Sequence, residues 1–272
     1  MAEPSDQPDD YDYHPPEEEP PVSEREKPMG FFDHLEELRW TLVKCALTFA
    51  CFAMLIAFFM KRFNDVILWP LRHVQHQMYP KEFSLDLGTI SIMEPFTIII
   101  QMCLMGGLIM AAPFMLFFVG QFVAPALNPK ELRMVLPTAF LGLILFVLGA
   151  AFSFFLLVPS TIRVSLELNE LFGFTQRWTP GAYYSLLTWL TLGVGAAFEF
   201  PLLIVLMVYM GLVTVAKLRS WWKHALVAVF IIAAIVTPTP DPVTQTMLAT
   251  PLYGLYWLAI VIASRVEKRA AA

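Results

Sequence analysis

Six stretches of this sequence run for twelve to twenty-eight residues with at most one charge each: 41–60, about 96–123, about 134–158, about 183–210, 225–236 and about 243–263. A helix needs about 20 apolar residues to cross a hydrocarbon core of about 30 Å. Within lipid every peptide N–H and C=O has to be satisfied by the chain itself, which leaves only helices or a closed barrel. Uninterrupted apolar blocks of this length, without alternation, specify helices. The expected fold is therefore an all-α integral membrane protein with six transmembrane helices. Charged residues make up 15% of the chain, against about 25% in a soluble domain. One block is unusual: the twelve residues "ALVAVFIIAAIV", closed by "TPTPDP", cover only about 18 Å at about 1.5 Å per residue. That fifth span has to thin the bilayer or be shielded by its neighbours.

Outside these blocks the charge is divided unevenly. Residues 1–28 hold ten Asp/Glu and two Lys/Arg, a local net of -8, so the rest of the chain nets +3. That Pro-rich acidic segment buries too little to offset its ordering entropy and is expected to be a disordered tail. It lacks the basic start and apolar core of a secretory signal, so the first span is expected to act as an uncleaved signal. An even number of spans puts both termini on one side. Twelve Lys/Arg flank the spans on that side (Arg25, Lys27, Arg39, Lys44, Lys130, Arg133, Lys217, Arg219, Lys223, Arg265, Lys268 and Arg269) and six on the other. This asymmetry predicts cytoplasmic termini. The opposite face then carries two long loops, about 61–95 and 159–182. A membrane domain over 29–263 and a short basic cytoplasmic tail over 264–272 complete the predicted organisation.

Pro113, Pro137, Pro201 and Pro251 fall within or at the edge of spans. Each removes a backbone donor and frees a carbonyl four residues earlier, which predicts a kinked, concave bundle whose bent spans pack on one another. Cys45, Cys51 and Cys103 lie in apolar blocks without metal-ligand spacing and read as small apolar residues. The catalytic signatures HExxH, GxSxG, GxGxxG and the P-loop are missing, so no enzyme activity, cofactor or metal is expected; His73 and His76 lack neighbouring ligands for a metal pair.

Three segments hold candidate acids. In "FFDHLEELRWTL", 31–42, Asp33 and Glu36 have the spacing of a capping box. Phe32, Leu35, Leu38 and Leu42 share one face, and Asp33, Glu37 and Trp40 another, as in an amphipathic helix lying at the cytoplasmic interface. In "FVAPALNPKELR", 122–133, Glu131 opens the helix of the third span, where the helix dipole favours a carboxylate. Glu199 stands alone at mid-span, where a charge is costly and usually functional. Gly195 and Ala196, one turn earlier, and the Ala197 carbonyl freed by Pro201 predict a polar notch beside it. Such a notch suits a polar contact with a partner's transmembrane helix. The alternative is a proton-coupled secondary transporter using Glu199, although residues 41–158 and 183–263 show none of the internal symmetry such folds often carry.

Taken in order, "HLEELRWTL" before the first span, "FVAPALNPKE" after the second, "FEFPL" in the fourth and "TPTPDPVTQT" between the last two resemble the TatC family, the multispanning core of the twin-arginine protein translocase. The resemblance covers roughly residues 29–263. It implies a glove-like bundle in the bacterial cytoplasmic (inner) membrane that binds signal peptides with two consecutive arginines at its cytoplasmic face. With TatA-like and TatB-like single-span partners, and self-association in a larger complex, it implies export of folded proteins driven by proton-motive force; nucleic acid is no partner. By motif match Glu37 and Glu131 receive the arginine pair, and Arg39 and Phe122 fall at other positions linked to recognition. Pro70, in "WPL", Glu199, Asp241 and Gln245 match further family positions. Trp40-Thr41 depart from the family by replacing a basic residue often found there. Two carboxylates can take two guanidiniums through bidentate charge-assisted bonds, which lysine cannot reproduce.

Overall fold

The computed structural model describes residues 31–78, 87–123, 129–174, 178–209, 211–237 and 241–270, with the backbone alone at 31, 33, 123, 129–139 and 266–270. The acidic segment 1–28 lies outside the described residues. Those described form helices and short connections, without a strand among them.

Helix α1 runs unbroken from Phe31 to Phe58. The motif expected to form a separate interfacial helix is its first turns, because neither Pro nor Gly intervenes between that motif and the first span. Phe32 and Leu42 stay exposed along it. Helices α2 (Met60–Ile67) and α3 (Trp69–Met78) occupy much of the segment read as a long loop. Pro70 is the second residue of α3, where a missing N–H costs nothing. It is buried with Leu71 and Val74, which seats α3 on the bundle.

Helix α4 (Glu94–Val123) packs along α1. Small residues allow the approach: a Cβ added to Gly107 would lie 3.0 Å from the Ala53 Cα, and one on Gly106 2.6 Å from the Phe63 ring. Between helices in lipid, such backbone proximity and van der Waals packing replace the hydrophobic drive available in water.

Helix α5 (Pro129–Phe152) passes through a π-helical turn, Ser153–Leu157, directly into α6 (Val158–Phe172). Pro159 lacks the N–H that a regular α-helix would give to the Phe155 carbonyl, a local reason for the changed pairing. The first half of the expected loop 159–182 is thus helical, and the rod ends at Gly173, whose φ of 67° suits a residue without Cβ.

Helix α7 (Pro180–Ala197) and helix α8 (Phe200–Tyr209) form one apolar rod broken at Phe198-Glu199. Helices α9 (Val215–Ser220), α10 (Trp222–Val236) and α11 (Pro242–Ala270) complete the chain. Among the described residues, five helical stretches are long and apolar enough to cross a membrane: His34–Phe58, Glu94–Phe122, Phe140–Phe172, Pro180–Tyr209 and Pro242–Arg265. The fifteen residues of α10 cover about 22 Å. Its Val229, Ala233 and Val236 are buried against α7 and α11, with the Val236 side chain over Gly193. The main core joins α2, α3, α4, α6, α7, α10 and α11; a second gathers Ile204 and Val208 of α8, Leu218 of α9 and Tyr256, Ala259 and Ile260 of α11.

Candidate functional site

The start of α1 and the end of α4 meet at one end of the bundle. There the His34 ring stacks on the Phe122 ring, centroids 4.5 Å apart and planes at 18°. Glu37 follows His34 by three residues, on the same side of the helix. It is half-buried, and its Oε2 is shielded from solvent without a hydrogen-bond partner among the described residues. A carboxylate is an acceptor only, so this oxygen is open to a donor that the described residues do not supply. Arg39 lies two positions further on and is exposed. Glu131 is the third residue of α5, in its opening turn; its side chain lies outside the described residues. The structure therefore brings Glu37 and Phe122 to one corner and adds His34, which sequence reading passed over although it stands one turn from Glu37 in "HLEEL".

Glu199 sits at the α7–α8 break. The Phe198 N–H bonds the Val194 carbonyl at 2.9 Å, whereas the Glu199 N–H turns to Ala196 at 3.1 Å. The tightening coincides with Pro201, which cannot donate to Ala197. The Glu199 side chain is half-buried, and both carboxylate oxygens are buried without a hydrogen-bond partner among the described residues. Its niche differs from the expected notch. The space over Gly195 is filled by Phe146, whose ring atoms begin 3.0 Å from where a Cβ would be. Ala196 instead lines a cavity of about 1120 Å³ between α4, α6 and α7, with Gln101, Ser185, Thr188 and Trp189 also in its wall. Room for the carboxylate comes from Gly142 of α5: a Cβ there would lie 3.0 Å from Oε2 and 3.2 Å from the Leu202 side chain. About two turns on, Gly149 does the same for the Phe198 ring, at 2.7 Å.

At the other end of the bundle, α2 and α3 are fastened to α7. The Tyr183 hydroxyl donates to the Ile67 carbonyl at 2.5 Å, and the Tyr184 hydroxyl donates to Asn64 Oδ1. Glu94, at the start of α4, accepts from the Gly181 N–H at 2.7 Å and from the Ile90 N–H at 3.0 Å. Thr179 caps α7 by accepting from the Ala182 N–H. Trp69, beside Pro70, stacks on His73 at 4.8 Å, and His73 meets the Gln77 amide at 3.0 Å.

Asp241 caps α11, its Oδ1 accepting from the Thr244 N–H at 2.7 Å and its Oδ2 from the Thr244 hydroxyl. Gln245 Nε2 donates to the Phe230 carbonyl at 3.2 Å, tying α11 to α10. Both stand at the end of the bundle opposite Glu37, so the eight singled-out positions divide among three regions: the Glu37 corner, the Glu199 break, and the far end with Pro70, Asp241 and Gln245.

A family model described as Sec-independent protein translocase protein (TatC) matches residues 33–251. A Sec-independent protein translocase protein TatC from Deinococcus radiodurans is 33% identical over 237 residues, 86% of this chain and 85% of that relative. Another, from Akkermansia muciniphila, is 32% identical over 179 residues, 66% of this chain; the chain spans about half, 51%, of that longer relative. A crystal structure of a twin arginine translocase receptor, TatC, superposes with a TM-score of 0.69 at 30% identity, covering 86% of this chain and 99% of that one.

Proposed function

The chain belongs to the TatC family of Sec-independent protein translocases, and on that premise we propose that it is the signal-peptide receptor and core membrane subunit of a twin-arginine translocase. It binds peptides carrying two consecutive arginines at its cytoplasmic face. With TatA-like and TatB-like single-span partners it passes folded proteins across the bacterial inner membrane on proton-motive force. Six spans, the sixth contact with the bilayer being the short α10, form a concave bundle with both termini in the cytoplasm. The twelve-to-six partition of basic residues supports that orientation. No catalytic step is assigned to the chain, and the solute-transporter reading of Glu199 gives way to the family.

The observation that carries the receptor role is the buried Glu37 oxygen, which no described residue engages, at the corner closed by His34 and Phe122. Glu37 and Glu131 receive the two guanidiniums, and Arg39 and Phe122 border them. A bidentate guanidinium satisfies both oxygens of a carboxylate, whereas an ammonium acts as a point charge. Glu199 offers a polar contact to a partner's transmembrane helix. Pro70, Asp241 and Gln245 support these sites by seating α3, capping α11 and joining α11 to α10.

The test is binding of a labelled twin-arginine signal peptide to the purified full chain. Truncating one member of a desolvated charge pair costs about 2–5 kcal/mol, so Glu37→Lys and Glu131→Lys should each weaken binding by about thirtyfold or more. A twin-lysine peptide should bind the wild type more weakly than the twin-arginine one. Unchanged affinity in both variants would overturn the assignment.

A further inference from the structure

A second cavity, of about 430 Å³, opens where α1, α4 and α7 end opposite Glu37. Its walls include Ile98, Ile99 and Met102 of α4, Leu68 between α2 and α3, and Leu87, all apolar, with Lys61, Asn64, Thr89 and Tyr184 as the polar exceptions. Span ends set its depth. α1 ends at Phe58, α4 begins at Glu94 and α7 at Pro180, so the cavity lies at the level where hydrocarbon meets headgroups, with α4 continuing inward from it. Lys61 is exposed and forms no ion pair with a described residue; the described ion pair on this face joins Arg72 to Asp65 at 3.4 Å. Asn64 commits its oxygen to the Tyr184 hydroxyl, which leaves its amide NH2 as the end that can donate. Arg62 adds a second exposed cation beside Lys61.

We propose that this cavity binds one anionic phospholipid, its phosphate held by Lys61 with Asn64 and Thr89 as neutral donors, and an acyl chain lying along Ile98, Ile99 and Met102. The two halves of the site match the two halves of such a molecule. An apolar wall alone would take any acyl chain; the Lys61 ammonium at its rim, which no described residue pairs and which stands at headgroup depth, selects a net negative headgroup over a zwitterionic one. Basic pockets between transmembrane helices on the cytoplasmic side bind lipid headgroups by this combination, and here the same pairing of charge and apolar wall stands on the opposite face. The bound lipid would also cover the seam between α2 and α7, where Tyr184 reaches across to Asn64.

The experiment is native mass spectrometry of the full chain in detergent, titrated with phosphatidylglycerol or phosphatidylcholine of identical chains. One basic side chain near a membrane surface contributes about 1 kcal/mol toward an anionic lipid, so the first phosphatidylglycerol should bind about fivefold more tightly than phosphatidylcholine. Lys61→Gln should remove that preference, and Lys61→Arg should keep it. Ile98→Trp, which fills the cavity, should weaken both lipids together. Inorganic phosphate, lacking the acyl chain, should displace neither. Equal binding of the two lipids to the wild type, or a preference unchanged in Lys61→Gln, would overturn the proposal. Because Lys61 is exposed, elution volume and helicity of its variants should match the wild type, so that a change in preference reports on the headgroup contact.

Discussion

The Glu199 carboxylate rests against Gly142, so that a methyl carbon at residue 142 would stand 3.0 Å from Oε2 and 3.5 Å from Oε1. The acid on the broken α7–α8 rod and the glycine on α5 therefore form one unit. Gly142→Ala asks the carboxylate and the Leu202 side chain to give by a few tenths of an ångström. Gly142→Leu cannot be accommodated that way and must push the acid out of its niche, with an overpacking cost of about 1–3 kcal/mol. Export of a folded reporter, normalised to the amount of protein in the membrane, should fall slightly in the first and by tenfold or about that in the second. Full export by Gly142→Leu would mean that the position of the carboxylate does not matter.

Glu199 itself separates charge from shape. Both of its oxygens are buried without partners among the described residues, an arrangement costly in lipid unless a partner supplies donors. Glu199→Gln keeps the size and a hydrogen-bonding end and should retain most co-purification with TatA-like and TatB-like proteins. Glu199→Ala should lose the larger part of it, on the scale of the about 0.6–2 kcal/mol measured for interhelical polar contacts in membranes. Equal recovery of partners with Glu199→Ala would remove the residue from the partner site.

The His34–Phe122 stack predicts a coupling that neither residue would show by itself. Aromatic pairs contribute about 0.5–1.5 kcal/mol beyond their buried area. His34→Ala and Phe122→Ala should each weaken twin-arginine peptide binding severalfold by loosening the corner that holds Glu37. The double variant should be little worse than either single one. Additive losses in this double-mutant cycle would show that the two rings act on the peptide separately.

The all-helical fold was legible because lipid allows so few solutions: charge-free blocks of about 20 residues need no partner to be recognised as helices. Local boundaries were less so. The continuity of α1 through "LRWTLVKC" depends on the absence of a breaker, which polarity at a span end conceals, and that of α5 into α6 on a π-turn that accommodates Pro159. Glu37 and Glu199 stood out as chemistry, and Phe122 by motif match alone. Their neighbours did not, because His34 and Gly142 are defined by what lies across a helix interface. Gly195 was read as open space from its own helix, yet Phe146 of another helix fills it. Asp241 and Gln245 matched by motif, while their hydrogen bonds to Thr244 and Phe230 needed coordinates.

The paired tyrosines predict where the bundle loosens first. The Tyr183 hydroxyl is buried and bonds the Ile67 carbonyl at 2.5 Å, and Tyr184 bonds Asn64 beside it. Together they tie α2, and through it the adjoining α3, to α7, while α1 and α4 hold one another through the Ala53–Gly107 approach. Removing a buried hydroxyl that satisfies a backbone carbonyl costs about 1–1.5 kcal/mol. In Tyr183→Phe, amide hydrogen exchange across residues 60–78 should therefore speed up by about five- to tenfold, as expected for a unit that opens locally. Adding Tyr184→Phe should speed it further, and the amides of α1 and α4 should be unaffected in both variants. Gly181→Val provides the comparison: its Cβ would come within 2.9 Å of Glu94 Oε1, so it should loosen the start of α7 and the turn at Ile90 first. If exchange in Tyr183→Phe rose uniformly over all helices, the tyrosines would be supporting the whole bundle and not the two outer helices alone.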